Sequence, residues 1–498
     1  MEIASIKGDE VILIYHPMEV SAEVGQQFQI LETPDRQQGL VIQIISNDSL
    51  EYIGLQQEMI QRVLEERLAT VLQRLNREIG MGEMRSLKIA TAKIRKRIRE
   101  GSWETWDGWI PTRNVVIERL EAHDLIQHIL PPPDAAIALC TFNGQPIQFD
   151  GVHLNMVNVV TGVKGSGKSH LAKHLVLQLA NWHVPVVVFD VNGEYVNLPN
   201  AQVLRWGDNF RPALSDVGYS ILQRIVHILY PLPENSDNVF SAQLPQIWAQ
   251  REQYCRQHNL DFTIDITHLR GASWGGGQYV ADAIQRRLDM VDGLRYFHSF
   301  AGNHTTPLNF RTIYNQAIGD QQAVGHPIIF DMRNLSAALQ QALVRAITDI
   351  LETICKDEAD ANHGQGRFPF IFFEEAHFYV REDTIVNIIT RGRHIGMGSV
   401  FVTNTPQELP RTVFRQLDNL FLLGLTHNDD IRNVSNSSFT DEETIRSFAT
   451  RMPRHHALII GNITSRYPLV VRVDNLPDNV PASGQTRSTW DRFRQQVS

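Results

Sequence analysis

At 498 residues the chain exceeds a single core of ordinary size, so two or three packed units are expected. A hydrophobic content of 43% with 20% charged residues excludes disordered and fibrous classes, and a net charge of −9 excludes a surface basic on every side, confining any nucleic-acid contact to a stripe or channel. Cys140, Cys255 and Cys355 have neither metal-ligand nor disulfide spacing, no run approaches the ~18 apolar residues of a membrane span, and MEIASIKGDE lacks a leader pattern, so a soluble, cytoplasmic protein with no membrane contact is expected.

In chain order, residues 9–17, 26–32 and 39–47 are short β-rich runs between polar turns and predict a small N-terminal β-barrel or sandwich. From Leu55 to Arg77 the pattern turns helical, with Leu55, Met59, Val63, Leu64, Leu68, Val71, Leu72 and Leu75 on one face. Lys88–Arg99 then carries Lys88, Lys93, Arg95, Lys96, Arg97 and Arg99, which is either a contact with nucleic-acid phosphates or, more ordinarily, a solvated helix face. Trp103, Trp106 and Trp109 offer rings for base stacking, although packing against the barrel is the commoner fate of tryptophan. Strands return at 135–149 around the hairpin dipeptide Asn143-Gly144 and are expected to rejoin the same β-domain, giving a first domain of residues 1–150 with inserted helices.

After Gly151 strands and helices alternate, which predicts an α/β core over residues 151–475 with a mostly parallel sheet covered on both faces. Its strands are expected at 156–161, 184–190, 327–331, 368–373, 399–403 and 419–425, with a helical insertion at about 200–325. Residues 457–462 and 468–473 read as a hairpin, followed by a polar tail over 476–498.

The loop Gly162, Val163, Lys164, Gly165, Ser166, Gly167, Lys168, Ser169 and His170 fits G-x-x-x-x-G-K-[ST] directly after an apolar strand and before a helical run. Such a loop turns backbone N–H groups onto phosphates, while Lys168 neutralises β/γ-phosphate charge and the Ser169 hydroxyl ligates Mg²⁺. A phosphate cradle needs an acidic strand end to hold metal and orient water, and FPFIFFEEAH supplies Glu374 for the metal and Glu375 for the water; a surface acid pair is the plainer alternative. VPVVVFD ends in Asp190, with Glu194 just beyond, near the same edge. Asn404, after SVFVT, can sense the γ-phosphate or cap a turn, and Arg391 and Arg393 can stabilise transition-state charge, from a neighbouring subunit if not in place, or simply pair at the surface.

Taken in order, GVKGSGKS, VFDVNGEY, FFEEAH and GRHIGMG with TNTPQEL resemble the HerA branch of the FtsK/HerA superfamily of ring-forming DNA-translocating ATPases, over about residues 150–475. The resemblance implies a P-loop NTPase core of RecA-like type behind an N-terminal barrel, a helical insertion, and a C-terminal segment that braces a neighbouring subunit. It also implies ATP and Mg²⁺ as ligands, a homo-hexamer around duplex DNA, and a separate nuclease or effector in DNA end processing or antiviral defence. Gly392-Arg393 matches the family's GR, whereas Glu374 stands where Asp is usual and Asn404 where Gln is usual. The activity expected is an ATP-driven DNA translocase or helicase. Two further classes are a regulatory scaffold that assembles and activates an effector enzyme, and a protein-handling ATPase; DNA-stimulated turnover separates them from the first.

Overall fold

Val11, Leu13 and Tyr15 of EVILIY, and Ala90, Ala92 and Ile94 of KIATAKIR, enter one core at every second position, as residues on one face of a strand do. The computed structural model describes residues 1–32, 37–49, 88–112, 114–154, 156–298, 310, 313–315, 326–361, 369–382, 389, 396–435 and 441–481. Two compact units emerge: Met1–Pro133 with Cys140–Asp150 and Leu422–Val473, and Asp134–Leu139 with Gly151–Phe421 and the chain from Asp474.

In the first unit, β1 (Glu2–Lys7), β2 (Glu10–Tyr15), β3 (Gln27–Glu32), β4 (Gln38–Ser49), β5 (Lys88–Arg99), β6 (Ser102–Glu104) and β7 (Val115–Arg119) form an antiparallel sheet in the order β1-β2-β5-β4-β3-β7, with β6 on β5. Register shifts at Val41/Ile42 and Ile44/Ser46 mark bulges in the long β4–β5 pair, and bulges bend strands, so the sheet curls around Val11, Leu13, Ile30, Leu40, Ile42, Ile44, Ala90 and Ala92. The barrel-like expectation is met to this extent, with β1 and β7 as the ends of the strand order.

Lys88–Arg99 is corrected from a helix face to strand β5. Ala90, Ala92 and Ile94 enter the core, and the cations between them meet acids and carbonyls from distant segments. Lys93 pairs with Asp9 and with Glu443, each at 3.2 Å; Arg95 donates to Gln43 Oε1 and Thr444 Oγ1; Lys96 donates to the Ser465 carbonyl. Arg97 pairs with Asp107 and lies 4.9 Å over the Trp109 ring. Trp106 and Trp109 pack on the barrel core, and Trp103 stacks at 4.4 Å on His128 of helix α1 (Ala122–Ile129). The helix expected over Leu55–Arg77 lies outside the described residues.

β8 (Ala136–Phe142) and β9 (Gln145–Asp150) are joined through Asn143 and Gly144, whose φ values of 47° and 79° are the paired left-handed conformations of a tight hairpin turn. In the second unit follow β10 (Val157–Thr161), helix α2 (Lys168–Asn181), β11 (Val186–Asp190), β12 (Gln202–Leu204), β13 (Ile328–Asp331), β14 (Phe370–Phe373), β15 (Gly398–Thr403) and β16 (Asn419–Leu422). They run β12-β13-β11-β14-β15-β10-β16, parallel from β12 to β10. VNVVT, VVVFD, IIFD, FIFF and GSVFVT are buried at every position, as strands covered on both faces must be. Helices occupy much of residues 214–293, as expected for the insertion, but the short edge strand β12 at its start escapes detection from sequence because three residues carry too little periodicity.

Across four neighbouring strands Phe330, Phe189, Phe373 and Phe401 stack in register, with centroids 5.5, 5.6 and 4.9 Å apart. This ladder lies just beneath the carboxyl ends of the strands and fixes their relative heights.

β17 (His456–Gly461) and β18 (Leu469–Val473) form the expected antiparallel hairpin. β18 pairs with β8, Arg472 opposite Thr141 and Val473 opposite Cys140, so the β8–β9 hairpin does not rejoin the barrel sheet. The alternation of residues 135–149 makes them strands but does not say which edge receives them.

Candidate nucleotide site

Parallel strands deliver their carboxyl ends to one edge, and register decides which residues stand level there. Thr161 is opposite Thr403, Phe373 opposite Phe401, Phe189 opposite Phe373 and Asp190 opposite Asp331. Gly162 and Asn404 therefore leave their strands level with each other, and Asp190 and Glu374 stand level two residues lower at the same edge.

Gly165 and Gly167, at φ 77° and 109°, are in the left-handed region that a side chain disfavours, and their turn delivers Lys168 as the first residue of α2. Lys168 Nζ donates to the carbonyls of Gly162 at 2.9 Å and Val163 at 3.1 Å. Burial lowers the pKa of its ammonium, against the pull of Glu375, Glu374 and Glu194. Ser169 Oγ donates to Glu374 Oε1 at 2.9 Å, and the Tyr195 hydroxyl donates to Glu374 Oε2 at 2.8 Å. Burial pushes the Glu374 carboxyl up to about 8; Glu194 and Glu375 add to the rise, and the hydrogen bonds from Tyr195 and Ser169 oppose it. Glu375 adopts φ 47° and ψ 47°, an uncommon conformation for a residue with a side chain.

Asp190 accepts from the backbone N–H of Gly193 at 2.8 Å, Glu194 at 3.1 Å and Tyr195 at 2.8 Å. Its carboxylate thus builds the Asn192–Tyr195 turn, which in turn presents Tyr195 to Glu374. Asn404 follows the end of β15, where its Oδ1 accepts from the Thr405 hydroxyl at 3.1 Å. Arg391 and Arg393 lie outside the described residues.

Residues 139–351 match the model of the family "Helicase HerA, central domain". Two relatives are each named DNA double-strand break repair helicase HerA. That of Sulfolobus acidocaldarius is 20% identical over 358 residues, 68% of this chain and 68% of the relative. That of Sulfurisphaera tokodaii is 18% identical over 352 residues, 68% and 69% of the two chains. The chain is similar to HerA over this span. Among solved structures, VirB4 of Thermoanaerobacter pseudethanolicus aligns with a TM-score of 0.48 at 12% identity over 70% of this chain and 99% of that one. The conjugative coupling protein TrwB aligns at 0.48 and 14% over 73% and 94%.

In this chain the matched span holds the phosphate loop and the NGEY turn, while Glu374 and Glu375 follow it. Sequence reading gave no individual role to Tyr195 and His377, which it met only as members of VFDVNGEY and FFEEAH, and none to Lys173. Lys173, one helical turn beyond Ser169, is buried; burial lowers the pKa of its ammonium, against attraction from Glu194, Asp190 and Glu374, and it donates to the Pro481 carbonyl at 3.0 Å. A helical lysine gives no local sign that it turns inward. His170, the last residue of the expected loop, directs its ring to the Asp474 carbonyl at 2.8 Å, an acceptor it shares with His174. Arg333 and Arg205 grip Asp331 and hold its carboxyl down at about 2; Arg333 also lies across Gly193, where a Cβ would stand 2.5 Å from its Cδ.

Among the described residues, buried side-chain oxygens without a hydrogen bond include Thr161 Oγ1, Ser166 Oγ, Glu194 Oε2 and Glu375 Oε2, all around this loop. Buried polar atoms are ordinarily paired, so a cluster of orphans is a place for a polar ligand. No group of three or more His, Cys, Asp or Glu among the described residues is set to hold a metal alone. One hydroxyl and one carboxylate in contact, with further acids nearby, fit a hard cation that takes its remaining oxygens from phosphate and water. Among the same residues no helix is long and apolar enough to cross a membrane.

Proposed function

We propose that this chain hydrolyses ATP at the loop Gly162–Ser169 and couples the reaction to movement along duplex DNA as a homo-hexameric ring. The observation that carries the reading is the contact of Ser169 with Glu374 across 205 positions of sequence, because it joins a phosphate loop to an acidic strand end with Glu375 beside it. Lys168 has three N–H donors and spends two on loop carbonyls, leaving one for a phosphate oxygen. The amino terminus of α2 faces the same anion. Ser169 and Glu374 would hold Mg²⁺, which when bound neutralises phosphate charge. Glu375 orients and deprotonates the attacking water, and the Asn404 amide reads the γ-phosphate.

Arg391 and Arg393 are proposed to complete the site from a neighbouring subunit, and residues 476–498 to brace that neighbour. The DNA reading is supported by the printed names of the HerA relatives. A separate nuclease or defence effector is the proposed partner in DNA end processing or antiviral defence. The basic stretch Lys88–Arg99 is not assigned to DNA, since its Lys93, Arg95 and Arg97 are engaged within the first unit.

The test is ATP turnover with and without duplex DNA, over a series of salt concentrations, with Lys168→Ala as control. Turnover stimulated by DNA, with an affinity that falls steeply as salt rises, is expected. DNA-independent turnover would replace translocation with the regulatory-scaffold reading, and unchanged turnover in Lys168→Ala would remove the site.

A further inference from the structure

The Oε2 atom of Glu375 is buried without a hydrogen bond, and His377 Nδ1 lies 3.5 Å from it. The same nitrogen lies 3.1 Å from Thr403 Oγ1. Thr403 is the last residue of β15, immediately before Asn404, and its hydroxyl oxygen also accepts from the backbone N–H of Thr405 at 3.1 Å. One ring nitrogen therefore faces both the carboxylate proposed as base and the strand that carries the proposed phosphate sensor. The ring is enclosed: its side chain is 5% exposed. Burial lowers the pKa of His377 and Lys168 adds to the effect, while Glu375 and Glu408 oppose it, so the imidazole is neutral and carries a single N–H. A neutral ring with its hydrogen on Nδ1 can serve Thr403 or Glu375, but the two acceptors compete for it.

We infer that His377 is a positioning residue: its Nδ1–H fixes Oε2 of Glu375, turning the other carboxylate oxygen to the attacking water, with Thr403 as the alternative acceptor that links this choice to β15. The inference rests on the reading of Glu375 as the base. It gives a reason for the uncommon backbone conformation of Glu375, which brings a side chain at the end of β14 back over the short helical turn containing His377. It also gives β15 a route to the base that does not pass through the nucleotide.

The test compares His377→Ala, His377→Asn and His377→Gln. Asparagine presents an amide N–H near the position of Nδ1, and glutamine presents one near Nε2. Expected are a kcat loss approaching about 10²-fold in His377→Ala, the scale of a misplaced catalytic group, with calorimetric ATP affinity within about twofold of wild type. Substantial rescue is expected in His377→Asn and not in His377→Gln. In a Glu375→Gln background, His377→Ala should cause no further loss. Wild-type kcat in His377→Ala, or equal kcat in the Asn and Gln variants, would overturn the assignment. Should the Ala variant fail to fold, the Asn–Gln comparison decides alone. The two levels separate cleanly: normal turnover in Glu375→Gln defeats the reading of the base itself, whereas a slow Glu375→Gln beside a fully active His377→Ala defeats only the role of His377.

Discussion

The Tyr195 hydroxyl and Glu374 Oε2 are 2.8 Å apart, and the tyrosine is fully buried. With Ser169 on Oε1, both oxygens of one carboxyl are held by donors from two other motifs, one after β10 and one after β11. Tyr195→Phe keeps the ring and removes a donor from a buried acceptor, so it should cost about 1–3 kcal/mol in urea unfolding. The Mg²⁺ concentration for half-maximal turnover should rise as well. An unchanged unfolding midpoint together with an unchanged Mg²⁺ requirement would deny the tyrosine this role.

The Glu374 carboxyl, held at about 8 in the folded chain against an ordinary 4.5, links folding to pH. Between those values the folded state keeps a proton that the unfolded state has released, so this group's contribution to stability falls as pH rises. Measured without added nucleotide from pH 5 to 8.5, the melting temperature of wild type minus that of Glu374→Gln should decline with pH. His174 and His377, both lowered by burial, titrate in both proteins and cancel in the difference. A flat or rising difference would show that the carboxyl is ionised throughout.

Lys168→Ala and Glu375→Gln should separate binding from chemistry. The first removes the cation aimed at phosphate and should abolish most ATP binding by calorimetry. The second should bind ATP normally and turn over about 10²–10⁴-fold more slowly, the usual range for a general base. Near-normal ATP binding in Lys168→Ala, or normal turnover in Glu375→Gln, would relocate the corresponding role.

Phe373 stacks between Phe189 and Phe401 in the row beneath the strand ends. Phe373→Ala should cost about 3–5 kcal/mol in urea unfolding, as for other fully buried aromatic truncations. Phe373→Leu should cost less and still lower turnover, because Glu374 directly follows the lost rung. A loss under about 1 kcal/mol in Phe373→Ala would mean that the row does not set the strand heights.

Arg95 donates to Gln43 and Thr444 and is enclosed in the first unit. Arg95→Ala should therefore destabilise the protein by about 1–3 kcal/mol through partners left unpaired. It should leave the salt slope of DNA binding unaltered; a shallower slope with full stability would return Lys88–Arg99 to a phosphate-contact role.

The local sequence determined the phosphate loop, the six principal strands of the α/β core and the acidic end of FPFIFFEEAH, because glycine conformation, burial on both faces and the strand-to-helix switch are properties of adjacent residues. Asn143-Gly144 likewise specified its turn without specifying the edge on which β8 and β9 would pair. The cations of Lys88–Arg99 looked solvated because Asp9, Glu443, Thr444 and Ser465, which receive them, are scattered along the chain. Asp190 was legible as an acid at a strand end, but its three backbone partners, and hence its service to a turn, exist only once that turn is closed. The roles of Tyr195, Lys173 and His377 became visible only through the tertiary structure. Their chemistry depends on which carboxylates, carbonyls and hydroxyls folding encloses with them, and a residue's sequence neighbours carry no record of that company.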